Sequence, residues 1–377
     1  MCITVTGVGM TPFQHATDES ILDLANSAAT RALTDANLDA TDITSLHVGN
    51  MLTETSNRRA GIANALTSVL GIEGVSADRV ENTSASGASA VHRGVEAIGS
   101  GTSDVALIVG VEKMSVGDTT AGTEAISRLV HPREYDQGIT LPTFGGLAAD
   151  AYLDRYDVPR EALAQVAVKN HANAARNSVA QFQKEITVAD VLDSPVIADP
   201  LRLFDCCPMT DGAAAMVLTA GEGDIQVAST ASATGTHAVA ERPDPLLIES
   251  VRHAGKQAFD RAGFGPEDID IACIHDAFTI LEWLELEELG FYEPGTAWKA
   301  TVEGKTCRTG DLPVNPGGGL KARGHPLGAT GISQLIELTW QLRGDLPANR
   351  RVKNIHRGLA INVAGFGNNS VCTILET

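Results

Sequence analysis

The sequence has few cysteines, and they form no recognisable pattern. The six of them are scattered, with no C-x-x-C pair and no nearby histidine ligand pattern: Cys2, Cys206, Cys207, Cys273, Cys307 and Cys372. This distribution disfavours a disulfide framework and a zinc site and indicates buried thiols in a reducing compartment. Neighbouring cysteines such as Cys206 and Cys207 are poorly placed to chelate one metal ion. We therefore expect no bound metal.

Long apolar runs are also missing. No stretch of 18 or more apolar residues occurs, and the start, MCITVTGVGM, has no basic region ahead of an apolar core. A membrane span and a secretory signal are therefore not expected. Together with the cysteine pattern, this predicts a cytoplasmic protein.

Basic residues are scarce, because 28 lysines and arginines face 47 acidic residues and the net charge is −19. This balance argues against binding to nucleic acid. An acidic surface keeps a protein soluble at high salt, where screening removes its self-repulsion. Two interpretations stay open: a protein of a salt-loving archaeon, or an ordinary acidic cytosolic protein.

The pattern of the first hundred residues is that of an α/β protein. The patterns of residues 3–10 and 104–114 are typical of β-strands, and the second segment is apolar enough to be buried on both faces. Residues 18–38 place an apolar stripe on one side of a helix, with Asp18 as the expected N-cap. Strand and helix in alternation predict a parallel sheet with right-handed crossovers.

A change of pattern divides the chain, which at 377 residues is long for a single core. Residues 115–200 lose the strand–helix alternation, become strongly helical and indicate an inserted loop domain. Strand, helix and glycine turn then recur, which suggests a duplicated α/β unit. The expected domains are an N-terminal half (1–114, completed by 201–225), the inserted loop domain and a C-terminal half (226–377).

Ser84 is the first residue that could carry chemistry. It lies in ENTSASGASAVHRG, between a predicted strand and a predicted helix, where free N–H groups and the positive helix end favour an anion. Small neighbours and Gly87 let a ligand approach the backbone. The alternative is an ordinary N-cap serine in a tight turn.

The second candidate site is CIHDAF, residues 273–278, at the end of a buried strand. Its His275 and Asp276 would lie at the carboxyl end of a parallel strand, where α/β folds gather their sites. The alternative is a core histidine that is satisfied by a carbonyl group.

The third candidate, residues 315–342, is the most informative. Three consecutive glycines, the sequence Gly-His-Pro around His325 and two more glycines cost too much backbone entropy for an ordinary loop. A helix follows, and Pro326 would hold His325 rigidly at a cavity mouth. A phosphate-binding loop is excluded, because no Gly-Lys-Ser/Thr closes the run.

These segments resemble the thiolase superfamily from end to end. GHPLGATG (324–331) is highly specific to it, DPLRLFDCCPMTDGAAAMVL (199–218) is similar to the end of its loop domain, and VGVEKMS (109–115) is similar to the start. HDAF (275–278) resembles the archaeal and sterol-carrier-protein-type branches. The resemblance implies a duplicated α/β fold, two halves with mixed sheets around central helices plus a loop domain.

The same resemblance implies roles for individual residues. Ser84 stands where the family has its acyl-accepting cysteine, His325 is the base that deprotonates that group, and His275 helps to bind the enolate oxygen. Four further residues would support the oxyanion site: Gly365, Gly367, Asp276 and Pro326. Lys321 and Arg323 are candidates for the phosphates of coenzyme A.

The resemblance also implies partners. Acyl-CoA or CoA is the substrate and no bound cofactor is needed. A homodimer or homotetramer is expected, with an OB-fold, zinc-ribbon accessory subunit as a further partner.

Two departures from the family affect the chemistry. The first is serine at position 84, since a hydroxyl is less acidic than a thiol and needs a well-placed base. The second concerns the other acid/base of the family, a cysteine or histidine, which falls at Ile361 or within one residue of it; no Cys or His lies between Arg357 and Val371.

Three functions fit the two departures. The first is a β-ketothiolase that uses Ser84 as the nucleophile in Claisen condensation or thiolytic cleavage. The second is a retro-aldolase that acts on a β-hydroxyacyl-CoA without an acyl-enzyme. The third is a CoA-binding scaffold subunit with little activity.

Overall fold

The computed structural model describes residues 2–115 and 119–377 and is organised around one long mixed β-sheet. Its strands are β1 (Ile3–Met10), β2 (Ser45–Gly49), β3 (Ser76–Val80), β4 (Val105–Glu112), β5 (Val196–Ala198), β6 (Leu201–Arg202), β7 (Gly212–Ala220), β8 (Gln226–Thr234), β9 (Ile271–Cys273), β10 (Arg357–Ala364) and β11 (Asn369–Glu376). Nine of them pair in the order β3-β2-β4-β7-β1-β8-β11-β10-β9, and β5 with β6 forms a separate hairpin.

Helices alternate with these strands along the chain. They are α1 (Ile21–Ala36), α2 (Thr53–Asn57), α3 (Ile62–Leu70), α4 (Ser86–Gly99), α5 (Thr119–Ser127), α6 (Pro132–Tyr135), α7 (Leu141–Tyr156), α8 (Arg160–Ala174), α9 (Val188–Asp193), α10 (Glu249–Ala262), α11 (Thr279–Glu288), α12 (Ala297–Val302) and α13 (Leu327–Arg343). Within the described ranges, no helix combines the length and the apolar character that crossing a membrane requires.

The sheet is parallel only in part. Strand β2 runs parallel to β3 and β4, and β9 runs parallel to β10, whereas β7 and β11 are antiparallel to both of their neighbours. The two halves of the chain join where β1 meets β8, with Thr4 opposite Gln226. The α/β class and the mixed sheet are therefore confirmed, and a purely parallel sheet is wrong.

Helices cover both faces of the sheet. α4 and α13 pack against each other and contact strands of both halves, while α1 covers the outside of the N-terminal strands and α10 the outside of the C-terminal ones. The pair α4 and α13 is therefore shared by the two halves. This is the arrangement of two α/β halves around central helices.

Helix α1 begins two residues later than expected. Ser20, not Asp18, is the N-cap: its hydroxyl accepts the N–H of Asp23 (3.2 Å), and the Asp23 carboxylate accepts the N–H of Ser20 (3.0 Å). Such a reciprocal capping box satisfies two otherwise free donors. The predicted apolar stripe is buried, from Ile21 to Leu33.

The segment between β4 and β7 carries α5 to α9 and the β5–β6 hairpin, in keeping with its helical pattern. Residues 116–118 of the predicted loop domain lie outside the described residues. The hairpin spans the expected boundary between residues 200 and 201. The domain boundaries as such stay a prediction.

Candidate active site

A cavity of about 450 Å³ lies between the inserted segment and the two halves. Ser84, His275, His325 and Gly365 all line it, although they come from four separate parts of the chain. Apolar side chains form most of the remaining wall: Met114, Ile126, Leu141, Ile197, Leu203, Met209, Phe278 and Leu327. Polar groups thus converge at one end of a largely apolar cleft, the usual form of a small-molecule site.

The contact between α4 and α13 brings the two halves of this site together. A Cβ added to Gly87 in α4 would lie 2.4 Å from the carbonyl oxygen of Gly328 in α13. Only glycine at position 87 permits this approach of one backbone to another. The turn before α4 and the turn before α13 therefore open on the same cavity.

Ser84 lies in a strained turn between β3 and α4. Thr83 has φ of 46°, a left-handed conformation that a β-branched residue rarely adopts. Such strain persists where the surroundings enforce it, and it is frequent at functional positions. Ser84 does not cap α4, because the N-cap is Ala85 and no side chain caps the helix. The N-cap interpretation of Ser84 is therefore wrong.

The Ser84 side chain has no fixed role in the protein. The residue is 3% exposed, and its hydroxyl makes no hydrogen bond to another described residue, neither histidine included. The serine is therefore available to a ligand, and any bond to a base must form when substrate binds.

His325 is held by hydrogen bonds on two sides. Its backbone N–H donates to Thr210 Oγ1 (3.0 Å), and its ring Nδ1 lies 2.7 Å from Thr330 Oγ1. The Thr330 hydroxyl donates its one proton to the carbonyl of Pro326 (2.9 Å), so it accepts from Nδ1–H. The Nε2 of His325 consequently carries a lone pair, as a general base requires.

His275 and Asn362 are neighbours because β9 and β10 are parallel. The register places Cys273 beside Ala360, so that two residues further on His275 faces Asn362. Their side chains meet with Asn362 Nδ2 2.8 Å from His275 Nδ1. The alternative of a histidine satisfied by a carbonyl group is therefore wrong.

The position expected for the family's second acid/base, Ile361 or a residue next to it, includes one side chain that faces the site. Ile361, the expected equivalent, is fully buried in the apolar core, whereas Asn362 points towards the histidines. Successive residues of a strand face opposite sides, so a shift of one residue exchanges a core side chain for a site side chain.

Both histidines are kept neutral by burial. Burial, with the nearby Arg323 guanidinium, lowers the pKa of His325 to about 3. Burial, with the neighbouring His325, lowers the pKa of His275 well below its usual range. Their rings meet edge to face with centroids 5.0 Å apart. Two uncharged imidazoles therefore share this end of the cavity.

Asp276 anchors the glycine-rich loop rather than facing a ligand. Its carboxylate accepts the N–H of Leu320 (2.7 Å) and the side-chain amide of Asn170 (2.7 Å). A Cβ on Gly319, whose φ is +60°, would lie 2.2 Å from that carboxylate. The run of glycines thus lets the loop wrap around Asp276 and sets the path of the chain into His325.

Lys321 and Arg323 are not surface residues. They are 1% and 2% exposed and lie in a π-helical turn, Gly319–Arg323, and neither lines the cavity. The Lys321 ammonium lies 5.8 Å from the rings of Phe182 and Phe204, and Arg323 donates to the carbonyl of Ser333 (3.0 Å). Their placement gives no support to a role in holding CoA phosphates.

The remaining predicted support residues differ in their placement. Pro326 is the N-cap of α13, and Gly365 lines the cavity in a left-handed conformation with φ of 61°. Gly367 already donates its N–H to the carbonyl of Ala364 (3.2 Å). Of the two glycines, Gly365 is therefore the better placed to bind an oxyanion.

Two residues that sequence reasoning missed complete the support of the site. Thr330 sets the tautomer of His325, and its position, five residues after the histidine and one turn into the helix, was the available signal. Glu112, at the end of β4, accepts the N–H groups of Met51, Leu52 and Gly328 and so ties α13 to the N-terminal half. Burial raises the pKa of Glu112 to about 7.

Cys206 and Cys207 line the same cavity but are poor nucleophiles. Burial raises the pKa of each thiol to about 12, far above the range in which a thiolate forms. Across residues 2–115 and 119–377, no group of three His, Cys, Asp or Glu side chains is arranged to hold a metal ion.

The fold and the cavity together define a class: an α/β enzyme with two neutral imidazoles and a serine at the junction of two similar halves. Residues 3–222 match the family described as "Thiolase, N-terminal domain", and residues 231–377 match "Thiolase C-terminal domain-like". The chain belongs to the thiolase family.

Similar proteins carry several activities. The acetyl-CoA acetyltransferase of Methanothermobacter thermautotrophicus is 38% identical over 99% of both chains. Sterol carrier protein 2 of Gallus gallus is 30% identical over 99% of this chain and 71% of its own length. Among solved structures, the Ltp2-ChsH2(DUF35) aldolase superposes with a TM-score of 0.84 at 25% identity, covering 99% of this chain and 97% of its own.

Proposed function

We propose that this protein is a thiolase-type acyltransferase that forms or breaks a carbon–carbon bond at the α-carbon of a CoA thioester, with Ser84 as the acyl acceptor. One observation carries the proposal: the Ser84 hydroxyl and the bare Nε2 of His325 open on one cavity. Similarity over the full chain to an acetyl-CoA acetyltransferase supports acyl transfer.

The first half-reaction is acylation of Ser84. His325 Nε2 takes the hydroxyl proton while the oxygen attacks the thioester carbonyl, and the proton then passes to the departing CoA sulfur. The oxyanion of the tetrahedral intermediate accepts hydrogen bonds from groups such as the Gly365 N–H. Donors placed where charge develops supply a large share of the rate in such reactions.

The second half-reaction needs a base again, and His325 is neutral again once CoA has left. It removes a proton from the α-carbon of a second acetyl-CoA, the carbanion attacks the Ser84 ester, and the serine oxygen leaves with the proton held by His325. One base therefore serves both halves in turn. The ester is less electrophilic than a thioester, so this step is expected to be slower than on a cysteine.

A retro-aldolase is the second candidate, because Ser84 is not hydrogen-bonded to His325 and no cysteine or histidine stands at Ile361 or beside it, where Asn362 contacts His275 instead. His325 would take the hydroxyl proton of a 3-hydroxyacyl-CoA. The C2–C3 bond would then break, releasing an aldehyde or ketone. The enolate would take the proton back from His325 at C2. Similarity to a structurally characterised aldolase supports this alternative.

The test is intact-protein mass spectrometry after incubation with acetyl-CoA. Acyl transfer predicts an acetyl adduct on the native chain and on Cys206→Ala/Cys207→Ala, the matched control for the other cavity nucleophiles, but none on Ser84→Ala. Absence of an adduct, combined with release of a carbonyl product from a 3-hydroxyacyl-CoA, would establish the aldolase. If neither an acetyl adduct nor a carbonyl product is detected, the remaining function is that of a CoA-binding scaffold subunit with little activity.

We extend the proposal to assembly. Members of the family act as oligomers, so a homodimer or homotetramer is proposed, and the aldolase neighbour names a DUF35 component, which supports an accessory subunit. Light scattering on the purified chain tests the first. Co-expression with a DUF35 protein encoded nearby, followed by the adduct assay, tests the second.

We also propose a cytoplasmic protein adapted to high salt, because its net charge is −19. The temperature of unfolding should then rise steeply as potassium chloride increases from about 0.1 M, where the Debye length is about 10 Å, to about 1 M, where it is about 3 Å. A flat response would contradict salt adaptation.

A further inference from the structure

Asn362 presents a donor to His275. Its Nδ2 lies 2.8 Å from His275 Nδ1, and both residues are 1% exposed. With the amide in this orientation, its nitrogen has two N–H groups and no acceptor lone pair, so it donates and His275 Nδ1 accepts, while the buried Asn362 Oδ1 has no hydrogen-bond partner among the described residues. The proton of a neutral imidazole is then on Nε2, the nitrogen on the other side of the ring.

We propose that Asn362 is a positioning residue that holds His275 as the neutral Nε2–H tautomer, so that His275 donates to the substrate oxygen and His325 is the only base of the site. The proposal rests on the proposed function for the meaning of that donation. It concerns this chain in particular, because the family resemblance implies a cysteine or histidine at Ile361 or within one residue of it, and this chain has neither there.

The surroundings of His275 favour the same state. The titratable groups around His275 are His325, whose ring meets its own, Glu285 on α11 and the adjacent Asp276; Glu282 and its ion-pair partner Lys169 lie next to these carboxylates. Glu285 accepts the backbone N–H of His275 (2.7 Å), and Asp276 is engaged by the glycine-rich loop. Among the described residues, no carboxylate is hydrogen-bonded to either ring nitrogen, so nothing there stabilises an imidazolium.

The consequence is that two otherwise similar imidazoles differ in which ring nitrogen carries the proton. Thr330 accepts from Nδ1 of His325 and leaves its Nε2 bare, whereas Asn362 donates to Nδ1 of His275 and leaves its Nε2 protonated. Opposite hydrogen-bond partners thus give the two rings opposite tautomers. In the resting protein, His325 can therefore accept a proton at Nε2, and His275 can donate a hydrogen bond from Nε2–H.

Histidine-selective ¹⁵N NMR of the resting protein tests the tautomer directly. The signal that disappears in His275→Gln belongs to His275. We expect an unprotonated Nδ1, a protonated Nε2, and no titration of this ring between pH 5 and pH 9. Because no substrate is present, the outcome does not depend on whether the proposed acyl transfer or aldol chemistry is right.

The variant Asn362→Asp reverses the sense of the hydrogen bond at nearly constant volume. Its carboxylate accepts from Nδ1–H, so His275 should bind a proton on both nitrogens and titrate at a clearly higher pH than in the native chain. A native ring protonated on Nδ1, native titration between pH 5 and pH 9, or an unchanged titration in Asn362→Asp would each overturn the proposal.

The kinetic test uses Asn362→Leu, which fills the space without a hydrogen bond. Losing one oxyanion donor costs about 10²- to 10³-fold in kcat, so a fall of up to that size with little change in KM is expected. In the His275→Gln background, the side-chain amide can donate a hydrogen bond without Asn362 having to fix a ring tautomer. Adding Asn362→Leu to that variant should therefore lower kcat much less than it does in the native chain. If Asn362→Leu lowers kcat equally in the native chain and in His275→Gln, Asn362 contributes only packing, and the proposal is wrong.

Discussion

Removing the hydroxyl of Thr330 should impair His325 without altering the shape of the helix. Thr330→Val deletes the acceptor that lies 2.7 Å from His325 Nδ1 and leaves that N–H buried and unsatisfied. An unsatisfied buried donor costs about 1–3 kcal/mol. The ring can avoid this cost by moving its proton to Nε2, which removes the base.

The expected loss follows from that range. At about 1.4 kcal/mol for each tenfold change, a cost of about 1–3 kcal/mol corresponds to a roughly 5- to 150-fold lower rate of Ser84 acylation. The assay is rapid-quench mass spectrometry of the acyl-enzyme. If the aldolase proposal holds instead, the same loss is expected in the rate of C2–C3 cleavage, because His325 is the base in both reactions.

The same helix supplies a matched control. Thr339 of α13 is also fully buried, and its hydroxyl donates to the carbonyl four residues back, that of Leu335 (2.8 Å), as the Thr330 hydroxyl donates to Pro326. Thr339→Val therefore loses the same kind of helix bond without touching a histidine. If both variants react at the same rate, the role assigned to Thr330 is refuted.

Two further predictions follow from the site. Burial lowers the pKa of His325 to about 3, so the imidazole is neutral at every higher pH. The acylation rate should therefore stay constant as the pH falls from about 8 to about 5. A fall in rate with an apparent pKa near 6.5, that of an ordinary histidine, would contradict this. Gly87→Ala places a Cβ 2.4 Å from the Gly328 carbonyl and should cost at least about 1–3 kcal/mol in urea unfolding. The control is Gly99→Ala on the same helix, where an added Cβ would have nothing within 4 Å; it should leave the free energy of unfolding unchanged or raise it by up to about 1 kcal/mol. Similar changes in unfolding free energy for Gly87→Ala and Gly99→Ala would show that α4 can move away from α13.

Much of the fold was predictable because local patterns and tertiary structure agree. The apolar run that became β4 is buried on both faces, and the stripe of α1 packs against the sheet. The expected N-cap was wrong because Asp18 and Ser20 are both good caps, and only Ser20 has an acidic partner three residues on. Three residues predicted for one cavity, Ser84, His275 and His325, are brought together there.

The missed features depend on orientation, which a linear pattern does not carry. Lys321 and Arg323 look like an exposed basic pair, but the π-helical turn and the anchor at Asp276 direct them inward. The choice of Asn362 over its neighbour Ile361 stayed open, because it depends on the register of β9 against β10 and on which face of β10 meets His275. A register is fixed by long-range pairing, so it could not be derived from either segment alone.

In the proposed reaction, the contact between α4 and α13 would also set when the protein can become reactive during its own synthesis. Ser84 is made early and lies within the first 222 residues, whereas His325 emerges more than a hundred residues later, so a nascent N-terminal half holds a serine with no base beside it. Ser84 and His325 would share a cavity only once α4 and α13 have packed together, with Gly87 against the Gly328 backbone. On the proposed function, the chain would therefore act on CoA thioesters only after both halves have folded and docked.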